Sequence, residues 1–239
     1  MFVVATGALA GGFVSGLAGF GTGLIALGFW LHVLDSATAA TLVAVCSVVG
    51  QVQTLPSIWP AFDAKRAWPI VLAGLIGIPL GTFVLTRVDL NSFRLGIGLF
   101  LLVFAGFMLF GRVQAKLTWG GRLADSAVGF AGGFLGGLAG LSGPLPVVWA
   151  TLRGWSKDER RGVIQVFNSA ILSAVVLWHF VSGLFTLELG WLILIALPGT
   201  LAGTWLGLRA YRRLSDRRFH EIVLCLLAIS GLSLVWSSR

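Results

Sequence analysis

The chain has 239 residues, of which 57% are hydrophobic and 11% are charged, and its mean hydropathy is +0.94. Soluble proteins carry charge on about a quarter of their residues, so this composition excludes a soluble protein and indicates an integral membrane protein. The net charge of +8 does not indicate nucleic-acid binding, because the basic residues lie almost entirely in the short connections between apolar runs, where membrane orientation rules place them.

Eight runs of the chain contain no Asp, Glu, Lys or Arg, and each is long enough to cross a bilayer as a helix. In chain order they are 1–34, 36–62, 67–86, 95–111, 126–152, 162–187, 189–208 and 222–238. In each half the run lengths decrease, and the third and fourth runs have 20 and 17 residues in both halves. The sequence therefore predicts an all-α, polytopic membrane protein. It is expected to form a single permease domain, 1–239, built from two four-segment repeats, 1–111 and 124–239, with a linker at 112–123.

A glycine-rich motif opens each predicted repeat. GGFVSGLAGFGTG at 11–23 recurs 121 residues later as GGFLGGLAGLSGP at 132–144, with seven of thirteen positions identical. Glycine disfavours a helix by about 1 kcal/mol relative to alanine, so we interpret the motifs as matching helix breaks at a binding site. The alternative is close helix packing through the glycines at 12, 16, 19, 133, 136, 137 and 140.

Each break predicts a half-helix, which starts just after 21–23 in the first motif and after 142–144 in the second. The unpaired N–H groups and the positive dipole end of such a helix attract anions. Pro144 favours the second break, because proline suits the first position of a helix. Irregular backbone at membrane depth is tolerated only where protein or a water-filled cavity satisfies its polar groups, so the breaks are expected to line a cavity.

The basic residues favour one membrane orientation. If all eight runs span, 11 of the 17 Lys and Arg residues share a side, whereas 14 share a side if runs 1–34 and 126–152 are hairpins that enter and leave together. The hairpin arrangement fits the positive-inside rule better and makes the two repeats inverted, but charge counting alone leaves both arrangements open. Both place the connection at 209–218 in the cytoplasm and the two termini outside the cytoplasmic membrane.

Few polar side chains lie inside the runs. Ser47 and Asn168 share the 121-residue offset, so they occupy equivalent positions of equivalent helices and could both donate to an oxyanion. For Asn168, a hydrogen bond between helices is an equally good interpretation. His179 has no carboxylate partner inside the runs, and we interpret it as a packing histidine rather than a proton relay. Gln51 and Gln53 cannot face the same way on a helix.

Several kinds of chemistry have no support in the sequence. No ionisable Asp, Glu, Lys or Arg occurs inside a run, which argues against the carboxylate relays of proton-driven carriers. Cys46 and Cys225 fall in different apolar runs, and we interpret each as a small, buried apolar residue. The chain has no phosphate-binding loop, HExxH motif or Ser/His/Asp arrangement. We therefore expect no metal site, no cofactor, no catalytic residue and no enzyme activity.

With these motifs in view, nearly the whole chain resembles the TauE/SafE family, also called the toluene-sulfonate uptake permease family. The resemblance rests on GLAGFGTG at 16–23, GLAGLSGP at 137–144, LRGWSK at 152–157 and RRGVIQVFN at 160–168. It implies a four-plus-four duplicated permease for sulfite, organosulfonates or other small sulfur oxyanions. The family's first motif commonly continues as three glycines and a later proline, whereas here Thr22 interrupts the glycines and GFW at 28–30 stands where that proline is expected.

The sequence thus predicts a secondary transporter that moves a small anion across the lipid bilayer. An anion channel of the same fold and a non-transporting membrane scaffold are the alternatives, and assembly into a homo-oligomer is left open. The predicted substrate-binding residues, which are expected to present backbone and hydroxyl donors, are Gly19, Gly21, Thr22, Ser47, Gly140, Ser142, Gly143 and Asn168.

Overall fold

The computed structural model describes residues 1–54, 64–110, 117, 120–155, 157–211 and 216–238. Within these ranges every regular element is an α-helix, as the sequence predicts. The helices in chain order are α1 (Phe2–Ala18), α2 (Thr22–Trp30), α3 (Ser36–Thr54), α4 (Ala64–Leu85), α5 (Leu90–Phe110), α6 (Gly121–Ala139), α7 (Pro144–Leu152), α8 (Lys157–Val181), α9 (Leu187–Tyr211) and α10 (Asp216–Ser237).

Five helices in the described ranges, α3, α4, α5, α8 and α9, are long and apolar enough to cross a membrane. Helix α1 is apolar but shorter, as is the part of α10 from Leu227 to Ser237. Large apolar side chains such as Ile76, Val103 and Trp191 are exposed, which is the expected state of a surface that lipid covers. The chain is therefore a multi-pass membrane protein.

The first apolar run folds into a helical hairpin. Helix α1 ends at Gly19, whose φ of 80° is the left-handed conformation that glycine adopts after a helix. Helix α2 then returns antiparallel to α1, so that Trp30 at its far end donates through Nε1 to the carbonyl oxygen of Val4, 3.1 Å away. Gly7 leaves room for this indole, because a β-carbon there would lie 2.9 Å from Cδ1 of Trp30.

A second hairpin follows the same plan in α6 and α7. Helix α6 ends at Gly140, whose φ is 68°, and α7 returns beside it. Trp149 near the end of α7 donates through Nε1 to Oδ1 of Asp125, 2.7 Å away, in the first turns of α6. A backbone bond from the N–H of Leu117 to the carbonyl of Leu152 spans 2.9 Å at the open end of this hairpin. A tryptophan therefore ties each half-helix to the helix before it.

Both half-helices begin slightly earlier than the motifs predict. Helix α2 begins at Thr22 rather than after Gly23, because Gly21 already adopts a φ of 104° and serves as the N-cap. Helix α7 begins at Pro144 rather than after it, because the missing N–H of proline costs nothing at the first helical position.

Each hairpin packs mainly against the other half of the chain, α1 against α9 and α6 against α4. A β-carbon at Gly12 would lie 2.6 Å from the Thr200 carbonyl oxygen. A β-carbon at Gly133 would likewise clash with the Gly74 carbonyl oxygen. The packing interpretation is thus correct for part of each glycine motif, since small residues let helix backbones approach closely. The glycines that make these contacts are Gly12 and Gly16 in α1 and Gly129, Gly133 and Gly137 in α6.

Helix α3 lies inside the bundle, where it contacts α1, α2, α6, α8 and α9. Helix α8 packs against α3 and α4, and α5 packs against α10. The middle of α3 and the middle of α8 therefore come near the two helix breaks.

Most of the predicted linker at 112–123 lies outside the described residues. Helix α6 begins at Gly121, inside the predicted linker. The end of the second predicted run, 55–62, also lies outside the described residues.

Candidate functional site

The tips of the two hairpins meet at one cavity. The space there that a water-sized molecule can occupy is small, about 10 Å³ and enough for about one water, within a partly open hollow of about 260 Å³. The first turns of α2 and α7 both border this space, so two helix N-termini converge on it. The lining residues are Ser15, Phe20, Gly21, Thr22, Gly23, Leu24, Ser47, Gln51, Gly140, Leu141, Ser142, Gly143, Pro144, Asn168 and Leu172.

The first side of the cavity joins the start of α2 to the middle of α3. Thr22 is buried, and its Oγ1 has no hydrogen-bond partner. Ser47 is buried on α3, and Gln51 follows it by one helical turn. The Nε2 atom of Gln51 donates to the Gly19 carbonyl oxygen over 3.2 Å, while its Oε1 has no partner. Buried polar atoms without partners are uncommon, and these two belong to residues that line the cavity.

The second side joins the start of α7 to the middle of α8. Ser142 and Asn168 are both buried, and the Ser142 hydroxyl donates to Oδ1 of Asn168 over 2.7 Å. This bond leaves the Asn168 amide nitrogen as a donor. Gly143 has to be small, because a β-carbon there would lie 2.9 Å from Nδ2 of Asn168 and 3.0 Å from Cβ of Phe20. The hydrogen bond thus joins α8 to the break, as one of the two interpretations of Asn168 predicts.

The structure brings together seven of the eight residues that the sequence singled out. Gly21, Thr22, Ser47, Gly140, Ser142, Gly143 and Asn168 all line the cavity.

Gly19 is not among the residues that line the cavity, and its backbone N–H, predicted as a donor to the substrate, is engaged within the protein. Its N–H closes the last turn of α1 by donating to the Ser15 carbonyl over 2.7 Å, and its carbonyl accepts from Gln51. Gly140 lines the cavity, but its N–H donates to the Gly136 carbonyl over 2.8 Å and is not free either. After each helix, the N–H of the left-handed glycine donates to a carbonyl of the preceding turn and is therefore not available to a ligand.

Two polar residues of the cavity were missed by the sequence interpretation. Gln51 was set aside because it cannot share a face with Gln53, yet its spacing of four from Ser47 puts those two residues on one helix face. Gln53 is exposed, as that spacing requires. Ser15 corresponds to Gly136 in the second motif and lies on the cavity side of α1. For Ser15, the signal in the sequence was a polar residue inside a run of small residues.

The cavity has donors and no full charge, since none of its lining residues is ionisable. The N-termini of α2 and α7 each carry the equivalent of about half a positive charge. Helix α2 also offers backbone N–H groups in its first turn, whereas Pro144 and Pro146 of α7 have none. The side chains of Thr22, Ser47 and Asn168 add neutral donors. Uncharged donors beside helix N-termini are a chemistry that suits a small anion.

His179 is remote from this cavity and is satisfied by its helical neighbours. Its Nε2 donates to the Gly137 carbonyl oxygen over 3.1 Å, and its Nδ1 lies 3.0 Å from the hydroxyl of Thr41. It therefore joins α8 to α6 and α3, which agrees with the packing interpretation.

The family model for the sulfite exporter TauE/SafE matches residues 3–234, which is nearly the whole chain and includes both hairpins. No curated protein and no solved structure matches the chain. Members of the matching family are transporters of sulfite and related sulfur anions. The resemblance drawn from the glycine motifs is thereby confirmed. The chain belongs to the sulfite exporter TauE/SafE family.

Proposed function

We propose that this protein is a secondary permease for sulfite, an organosulfonate or another small sulfur oxyanion, and that the cavity between the hairpins is its substrate site. One observation carries the proposal: the N-termini of two half-helices converge on a buried cavity where Thr22 keeps a hydroxyl without a partner. An oxyanion placed there accepts hydrogen bonds from the helix N-termini and from Thr22, Ser47 and Asn168. Such charge-assisted bonds are about twice as strong as neutral ones.

The lack of ionisable side chains in the cavity lining supports transport rather than permanent binding. A basic side chain at the site would hold an anion by a full charge, whereas helix dipoles and neutral donors bind it more weakly. A permease must release its substrate on the far side, so moderate affinity is an advantage. The family's transport of sulfur anions supports a sulfur oxyanion as the substrate.

The exchanged packing of the hairpins supports two inverted repeats. Helix α1 of the first half packs against α9 of the second, and α6 of the second half packs against α4 of the first. Transporters built from inverted repeats expose a central site to either side when one repeat rocks against the other. The cavity lies between the two hairpin tips, where such rocking would open it alternately.

The hairpin geometry also supports the predicted orientation in the cytoplasmic membrane. Because α2 returns alongside α1 and α7 alongside α6, runs 1–34 and 126–152 both fit hairpins that enter and leave on one side. With both hairpins, 14 of the 17 basic residues lie in the cytoplasm. Both termini then lie outside. A cysteine-accessibility measurement at the two termini in whole cells tests this orientation.

Thermal unfolding of the purified protein against sulfite, sulfate, thiosulfate, phosphate and chloride tests the substrate class. A ligand that binds only the folded state raises the unfolding midpoint in a concentration-dependent way. We expect selective stabilisation by a sulfur oxyanion, followed by saturable flux and counterflow in proteoliposomes. Flux without saturation or counterflow would instead identify an anion channel, and no response to any anion would overturn the proposal.

A paired variant tests the location of the site. Changing Ser142→Ala together with Asn168→Val removes both partners of one hydrogen bond, so neither atom is left unpaired and the fold should keep its stability. We expect this variant to lose anion-dependent stabilisation and flux. Ser173→Ala, on an exposed position of the same helix, is the matched control and should behave as wild type. Undiminished flux in the double variant would show that the substrate binds at another site.

A further inference from the structure

The carbonyl oxygen of the Gln51 side chain is an unusual feature of the cavity. Gln51 is 3% exposed and borders the cavity from α3. Its Oε1 is buried and has no hydrogen-bond partner. An amide oxygen can only accept a hydrogen bond, so it adds nothing to the binding of an oxygen atom that carries negative charge.

The orientation of this amide is fixed by the backbone. The group that faces the Gly19 carbonyl oxygen, 3.2 Å away, has to be a donor, because a carbonyl only accepts. The Gln51 nitrogen therefore occupies that place. Rotating the amide by half a turn would set two carbonyl oxygens against each other, so Oε1 cannot exchange places with Nε2.

The second side of the cavity has no equivalent group. Leu172 on α8 stands 121 residues after Gln51 and also lines the cavity, with an apolar side chain. Thr22 and Asn168 each have a hydrogen to donate, and Oδ1 of Asn168 is already occupied by Ser142. Gln51 thus brings an unpaired acceptor to one side of the lining, beside the hydroxyls of Thr22 and Ser47, which can both donate and accept.

We propose that Gln51 makes the site selective for anions that carry a hydrogen-bond donor of their own. Suitable ligands are the protonated form of an oxyanion, such as hydrogensulfite, and sulfonates that bear a hydroxyl or ammonium group. The charged oxygens of such a ligand lie toward the N-termini of α2 and α7, and its donor lies toward Oε1 of Gln51. Fully deprotonated oxyanions and purely alkyl sulfonates leave this oxygen unpaired. The inference rests on the proposed function and specifies its substrate class.

Two sulfonates of equal charge and similar size test the selectivity without any mutation. Isethionate has a hydroxyl where propanesulfonate has a methyl group, so only isethionate can donate to Gln51. We expect the wild-type protein to bind isethionate about five-fold or more tightly, the usual net effect of one hydrogen bond, in thermal-shift or calorimetric titrations. Equal affinity would overturn the inference and leave the anion permease in place.

A variant then assigns the selectivity to this residue. Gln51→Met keeps the length of the side chain but removes the acceptor together with the donor to the Gly19 carbonyl oxygen, so the readout is the ratio of the two affinities, which should fall to about one. Gln53→Met, an exposed glutamine on the same helix, is the matched control and should keep the wild-type ratio. An unchanged ratio in Gln51→Met would overturn the assignment.

Sulfite provides a second readout that does not depend on the size of the sulfonates. Wild-type affinity for total sulfite should fall as the pH rises past the point where hydrogensulfite loses its proton, and this dependence should be weaker in Gln51→Met. Equal pH dependence in both proteins would overturn the inference even if neither sulfonate binds. Failure of every sulfur anion to bind would overturn the proposed function and the inference together.

Discussion

Gly12 of α1 lies so close to Thr200 of α9 that a β-carbon would be 2.6 Å from the Thr200 carbonyl oxygen. Because that oxygen belongs to the backbone, it cannot rotate away, and Gly12→Ala has to push the two helices apart. We expect the free energy of unfolding to fall by about 1–3 kcal/mol. The measurement is the midpoint of unfolding of the purified protein in detergent.

Gly106 provides the opposite case, since nothing lies within 4 Å of the place where its β-carbon would stand in α5. Gly106→Ala should therefore raise the free energy of unfolding by about 0.5–1 kcal/mol, because alanine loses less backbone entropy in a helix. If both substitutions shift the midpoint in the same direction, close packing is not the reason for the glycine at position 12.

The first hairpin depends on the bond between Trp30 and Val4. Trp30→Phe retains an aromatic ring but removes the indole N–H that gives the Val4 carbonyl a second hydrogen bond beside its bond within α1, so we expect a loss of about 0.5–1.5 kcal/mol. Hydrogen exchange in α2 should accelerate at the same time, because this bond ties α2 to the start of α1. Trp191→Phe, at a position 62% exposed, should change stability by less than about 0.5 kcal/mol. Equal losses in the two variants would contradict this role of Trp30.

Asp35 stabilises the start of α3 in a pH-dependent way. Its Oδ1 accepts the backbone N–H groups of Ala37 and Thr38, each 3.0 Å away. Partial burial acts to raise the pKa of Asp35, but the hydrogen bonds from Thr38 and Ala37 outweigh it, and the pKa lies below its ordinary value of 3.8. A carboxyl group whose pKa is lower in the folded state stabilises the fold above the unfolded-state pKa. That contribution is lost as the pH falls through the folded-state pKa.

We therefore expect Asp35→Ala to lower the free energy of unfolding by about 1 kcal/mol at neutral pH, the usual effect of losing a helix cap. The difference from wild type should shrink in acid and vanish below both pKa values. Unfolding midpoints of the two proteins across a pH series provide the check. A difference that stays constant with pH would mean that the carboxylate is not what caps the helix.

Two buried threonines should respond to the same substitution in opposite ways. Thr204 is fully buried and its Oγ1 has no partner, so Thr204→Val removes an unsatisfied hydroxyl and should be neutral or stabilising by up to about 1 kcal/mol. The Thr41 hydroxyl lies 2.8 Å from the Ala37 carbonyl oxygen and 3.0 Å from Nδ1 of His179. Thr41→Val should cost about 1–2 kcal/mol. A comparable loss at both positions would show that Thr204 has a ligand or water partner.

The parts of the fold that follow from local chemistry were predictable. Glycine and proline act on the backbone where they stand, so the motifs at 11–23 and 132–144 revealed both helix breaks to within a few residues. The same reasoning overestimated the free donors, because the N–H of Gly19 is spent on closing α1. Whether an N–H is free depends on the geometry of the helix end, which residue type alone does not specify.

Gln51 shows what comparison of the two repeats leaves out. Ser47 and Asn168 were found because both repeats have a polar residue at that point, whereas Gln51 has Leu172 as its counterpart. A polar residue that occurs in only one half of the site therefore cannot be found by comparing equivalent positions of the two halves. The packing of α1 against α9 also could not be predicted from the sequence, because these two helices lie far apart in the chain.

The partnership of α1 with α9 also sets the order in which the protein is completed. Helix α1 leaves the ribosome well before α9, whose backbone fits its glycine face. The second hairpin has no such delay, because α4 is already present when α6 emerges. Of two copies of one motif, the first thus has to wait for its packing partner, whereas the second finds its partner already made.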